Sequence, residues 1–152
     1  MLEFKGFTLD DYKIVTEFRE QSELKTCELT AGALFMWGDF YKPSYAIYNQ
    51  TLIIKTNNSE KECRFFYPIG KDEQGALAAI EEYASASGLD LVFVGVEDFW
   101  ANKLKDRYNG FTQDTFSRTW SDYIYSATAF AEFKGKKYSN FCHDMVIVLY
   151  ST

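Results

Sequence analysis

The sequence predicts one α/β (α+β) domain over residues 1–152, a mixed central sheet flanked by helices. Three observations carry that expectation. Two helical patterns near the N-terminus precede three short strands in a meander, and a helix–strand–helix unit and late strands follow. Between its two helical patterns, Leu89–Val96 is a nearly unbroken apolar run, as expected of a strand covered on both faces. Finally, 152 residues, 47% hydrophobic and 25% charged, suffice for one domain with a substantial core.

Thr8-Leu9-Asp10-Asp11 reads as a helix start, with Thr8 as cap and two aspartates at the positive end of the helix dipole. Leu9, Tyr12, Ile14, Val15 and Phe18 form the apolar stripe, which ends near Gln21-Ser22. A second helix is expected over Leu29–Trp37, stopped by Gly38. Tyr45–Tyr48 and Leu52–Ile54, separated by Asn49-Gln50, predict a hairpin. Asn57–Glu60 is a turn, and Cys63–Tyr67 a third strand ended by Pro68-Ile69-Gly70. Asp72 caps an alanine-rich helix that runs to about Ser87 and stops at Gly88. After the apolar run comes a helix over Glu97–Tyr108, ended at Asn109-Gly110. Strands are expected over Phe111–Arg118 and Trp120–Tyr125, and Met145–Tyr150 is a further β-forming run that pairs within the sheet or with a second copy.

A net charge of −6 and a pI near 4.8 oppose sequence-independent nucleic-acid binding, which needs a positive footprint. Eleven Tyr and fourteen Phe point first to well-packed strands rather than to a stacking surface. Cys27, Cys63 and Cys142 are too far apart for a CxxC zinc or redox motif, and no apolar run reaches membrane-spanning length. The N-terminus lacks a signal-peptide pattern, so a reduced, cytoplasmic protein is expected.

Cys142-His143-Asp144 has the residue types of a nucleophile, base and orienting acid. Consecutive strand side chains alternate faces, so this trio cannot assemble as a triad. His143 is the single histidine, which rules out a multi-histidine metal site, and the acidic pairs sit at helix starts or on solvated faces. No metal site is expected, and no catalytic residue can be assigned. Exposed aromatics around Trp100, Phe111 and Trp120 would instead favour a protein-interaction module.

The most distinctive stretch is Ser121-Asp122-Tyr123-Ile124-Tyr125, a short helical link, and then Phe133-Lys134-Gly135-Lys136-Lys137-Tyr138. It resembles the SDYIY and GKKY signature of a bacterial family, the C-terminal part of phosphatidylglycerol lysyltransferase. Thr8-Leu9-Asp10-Asp11 and Pro68-Ile69-Gly70 also recur in that family, at lower specificity. The family's basic run after GKKY is replaced here by Ser139–Met145. The resemblance implies a GNAT-like (acyl-CoA N-acyltransferase) fold, whose element order the chain shares. It further implies two such domains in tandem, with an aminoacyl-tRNA donor used chiefly by the second and this chain matching the first. Tyr123, Tyr125, Lys134, Lys136, Lys137 and Tyr138 are then the candidate substrate-binding residues, the lysines as flexible point charges facing a phosphate or acidic group. The competing reading of those lysines is a solvated turn.

Working GNAT enzymes carry an Arg/Gln-x-x-Gly-x-Gly/Ala loop whose amides hold the cofactor pyrophosphate at a helix N-terminus. None is present; at the nearest glycine-bearing helix entrance, Pro68–Asp72, the Asp72 charge would repel a phosphate. No acetyl-coenzyme A or other cofactor is therefore expected. The expectation is a non-catalytic or half-site domain of an aminoacyl- or acyltransferase-type protein, partnered by a second GNAT-like half or by itself. The alternatives are a small self-sufficient N-acyltransferase and an interaction module. Whether the chain is an enzyme stays open.

Overall fold

The computed structural model describes residues 2–24, 26–57, 59–110, 112 and 126–132. The chain divides into two units, Met1–Phe111 and Thr112–Thr152. The described sheet belongs to the first.

Strand β1 (Lys5–Gly6) leads into a 3-10 turn at Leu9–Asp11 and helix α1 (Tyr12–Glu20). Val15 is buried, with Ile14 and Phe18 packed beside it, whereas Leu9 of the expected stripe is exposed. Thr8 starts the turn but does not cap it through its oxygen. Its amide and hydroxyl instead donate to the Asp11 carboxylate, at 2.9 and 2.6 Å. The charge-assisted bonds orient Thr8 toward Asp11, which itself precedes the first residue of α1.

Helix α2 (Ala31–Met36) is capped by Thr30, whose hydroxyl accepts from the Ala33 amide at 3.1 Å. Gly38 opens the short α3 (Gly38–Tyr41) instead of stopping the helix. The stop is Lys42, left-handed at φ 46°, whose amide closes on the Gly38 carbonyl at 2.8 Å.

The hairpin forms as expected. β2 (Ser44–Tyr48) pairs with β3 (Thr51–Thr56) in a register closed by Tyr48 and Thr51. Asn49 and Gln50 both take positive φ, 43° and 58°, the backbone that a two-residue primed turn requires. β4 (Glu62–Phe65) ends sooner than expected, because the chain breaks at Phe66–Pro68 and returns to β3 as β5 (Ile69–Gly70). Helix α4 (Glu73–Ser87) runs from Asp72 to a left-handed Gly88. It carries the chain to β6 (Asp90–Phe93), parallel to β4, and α5 (Asp98–Arg107) follows.

The order β1-β2-β3-β4-β6, antiparallel except for the last pair, is a mixed sheet flanked by helices, the GNAT-like α/β fold that the sequence predicts. Strand alternation divides its side chains between two cores. Tyr45, Leu52 and Ile54 face Val15, Leu29, Leu34, Trp100 and Leu104, while Ile53, Cys63 and Phe65 face Ala76, Ile80 and Ala84 of α4.

β6 covers half of the run expected as a strand, and Leu91–Phe93 are half-buried rather than buried. It is the last strand of the described sheet. The late strands expected at 111–118 and 120–125, and the run at 145–150, lie outside the described residues. In the second unit, α6 (Ala127–Glu132) matches the expected helical link.

Candidate functional site

The glycine-bearing helix entrance at Pro68–Gly75, the nearest in the sequence to a pyrophosphate loop, is filled by the chain itself. The Asp72 carboxylate accepts from the Gly75 amide at 2.9 Å through one oxygen and from the Asn49 side-chain amide at 3.0 Å through the other. The Asn49 bond and the Gly75 amide hold its pKa below the ordinary carboxylate value. Gly75 permits the approach, since a Cβ there would lie 2.7 Å from an Asp72 oxygen. The Thr51 hydroxyl accepts from the Asp72 amide at 2.8 Å and the Lys71 amide donates to the Gln50 carbonyl at 3.2 Å, so hairpin and entrance form one rigid corner. Beside it a depression of about 370 Å³ is lined by Glu17, Phe18 and Gln21 of α1 with Ile47, Gln50 and Lys71.

Between α4 and α5 lies a ladder of polar side chains. Lys103 Nζ donates to Glu73 at 2.6 Å, and the same carboxylate accepts from the Tyr67 hydroxyl at 3.0 Å. One turn further, Arg107 donates to Glu81 at 2.7 Å and to the Gln74 side chain at 2.8 Å. Tyr108 completes the ladder with a 2.6 Å bond to Glu81. Tyr67 stacks on Trp100 at 5.2 Å, so Trp100 is a buried core residue and gives the interaction-module alternative no exposed aromatic there. Burial first, then the neighbouring glutamates, push both tyrosine pKa values well above normal. Both hydroxyls therefore stay protonated as donors, and Arg107 holds Glu81 in its charged form. The ladder clamps the two helices together. The signal for it was in the sequence as acidic positions 73 and 81 on one helix opposite basic positions 103 and 107 on the next.

A second polar cluster surrounds Asp11. Its carboxylate accepts from Lys5, from Thr8 twice and from the buried Tyr45 hydroxyl. These bonds, Lys5 first, hold its pKa far below the ordinary value. A depressed folded pKa gives stability that is present above the unfolded pKa of about 4 and lost as pH falls toward the folded value. Replacing Asp11 by Asn should lower stability at neutral pH and flatten the acid limb of the stability curve. Urea midpoints from pH 7 down to pH 3 check this; an acid limb as steep as the parent's would contradict it.

The candidate substrate-binding residues Tyr123, Tyr125, Lys134, Lys136, Lys137 and Tyr138, like Cys142-His143-Asp144, lie outside the described residues. Among the described residues, no cluster of His, Cys, Asp or Glu could hold a metal ion, and no helix is long and apolar enough to cross a membrane.

Comparison with known proteins adds two findings. A family model described as "Phosphatidylglycerol lysyltransferase, C-terminal" matches residues 19–145. A crystal structure of a conserved protein of unknown function from Bacteroides thetaiotaomicron VPI-5482 superposes with a TM-score of 0.80 at 27% identity, over 92% of this chain and 47% of that one. The chain thus spans less than half the length of that relative. No curated protein matches.

Proposed function

We propose, from the premise that the chain belongs to the phosphatidylglycerol lysyltransferase C-terminal family, that it is a half-site GNAT-like domain without an acyl-donor site of its own. The observation that carries this reading is the helix entrance closed by Asp72. A pyrophosphate approaching α4 meets a fixed negative charge already bonded to the Gly75 amide that would have to receive it. The domain's contribution is a wall of the acceptor site in an aminoacyl- or acyl-transferring assembly, completed by a second GNAT-like half. The depression at Glu17, Gln21, Gln50 and Lys71 offers the opposite charges and amides that such a wall needs. By the family resemblance, Lys134, Lys136 and Lys137 would contact phosphate of the kind an aminoacyl-tRNA presents. Residues 1–152 are read as one such domain.

Calorimetry with acetyl-coenzyme A tests the central claim. No heat of binding is expected for the parent chain at micromolar protein. Micromolar affinity with a ligand-dependent rise in melting temperature would overturn the reading in favour of a self-sufficient N-acyltransferase.

A further inference from the structure

The segment Ala31–Lys42 carries an apolar surface that neither core uses. Phe35, Met36, Trp37 and Phe40 are 63, 72, 53 and 64% exposed, and they crowd into six positions across the α2–α3 junction. Side chains of this size taken singly need no explanation, but four together mark a contact surface. The surface is also rigid. Leu34 anchors α2 in the core, and Tyr41 sets its ring edge-on to both Trp37 and Phe40 at 6.2 and 4.8 Å. Asn57 ties the end of α3 to β3, donating from its amide to the Tyr41 carbonyl at 2.9 Å and from its side chain to the Lys42 carbonyl at 3.0 Å. Little conformational freedom is left to lose on binding.

We infer that this α2–α3 surface is a self-association interface, its occupant a second copy of the same chain. Charge argues for that occupant. The whole chain carries −6, yet residues 31–42 contain only Asp39 and Lys42 and are neutral, so two copies meet here without the repulsion present elsewhere. Neither residue forms an ion pair among the described residues. They lie three apart, so a two-fold axis passing between them sets Asp39 of each copy against Lys42 of the other. The four side chains expose roughly 500 Å² per copy, taking about 200 Å² for a whole aromatic side chain. That is near the low end for specific interfaces and fits a micromolar, reversible dimer.

Sedimentation velocity of the full chain, from low to high micromolar, is the test. The parent should pass from monomer to dimer. Trp37→Ser and Phe40→Ser should each weaken the dimer at least about tenfold, with an unchanged circular dichroism spectrum. Asp39→Lys should weaken it too, and adding Lys42→Asp should restore it, a rescue that misfolding cannot produce. A parent that stays monomeric overturns the inference. So does a dimer indifferent to these changes, or one abolished by Phe99→Ser or by deleting residues 145–152. The donor-site reading is tested separately by calorimetry and survives any of these results.

Discussion

Replacing Phe65 by alanine should lower the stability of the domain by about 3–5 kcal/mol, the range for deleting a fully buried aromatic ring. Phe65 is 0% exposed and sits where the sheet changes from antiparallel to parallel pairing, opposite Lys55 on one side and Phe93 on the other. Its ring meets Tyr83 of α4 edge-on at 6.2 Å and Phe4 at 6.0 Å, and its carbonyl accepts from the Val94 amide at 2.8 Å. Removing the ring leaves a cavity bounded by sheet and helix, neither of which can collapse into it without breaking register. The measurement is urea denaturation, in which the midpoint falls while the slope is kept. A loss below about 1 kcal/mol would mean that α4 repacks freely against the sheet.

Gly70→Ala should be comparably damaging, for a different reason. Gly70 has φ near +153°, and a Cβ there would run into the Gln50 carbonyl oxygen and the Thr51 Cα, both backbone. Neither can move aside, because Thr51 and Gly70 are paired in the sheet and the Gln50 carbonyl accepts from the Lys71 amide. Overpacking costs about 1–3 kcal/mol where side chains can shift, so a backbone clash belongs at or above that limit. Thermal melting of the variant should show a large drop or no cooperative transition. Because Asp72 hangs on the same corner, loosening it should also free the α4 entrance. A variant as stable as the parent would show that β5 need not lie so close to the hairpin.

Much of the fold was legible because its signals are local. Asn49-Gln50 between two apolar strands, Asp72 and Gly88 around α4, and the run that contains β6 each need only a few adjacent residues to be read. The misreadings occurred where a residue's partner decided its role. Thr8 donates to Asp11 instead of capping, and Gly38 opens a helix whose left-handed stop falls on Lys42. Whether Trp100 would be exposed was not legible either, because Tyr67, which covers it, lies 33 residues away. The α4–α5 ladder joins positions from 67 to 108, and matching charged stripes alone would not show which carboxylate each cation takes. At the candidate site, the capping of the α4 entrance was legible in one residue, Asp72.

That closure behaves as a tethered competitor. A free anion that loses its place at a helix terminus diffuses away, whereas the Asp72 side chain is returned to the Gly75 amide by the turn that carries it. For short tethers the effective concentration of such a group is millimolar or higher. Raising the level of an outside phosphate ligand therefore competes against a local supply that dilution does not reduce. Connectivity as well as charge holds Asp72 at the entrance, and changing the side chain at position 72 is the direct way to vacate it.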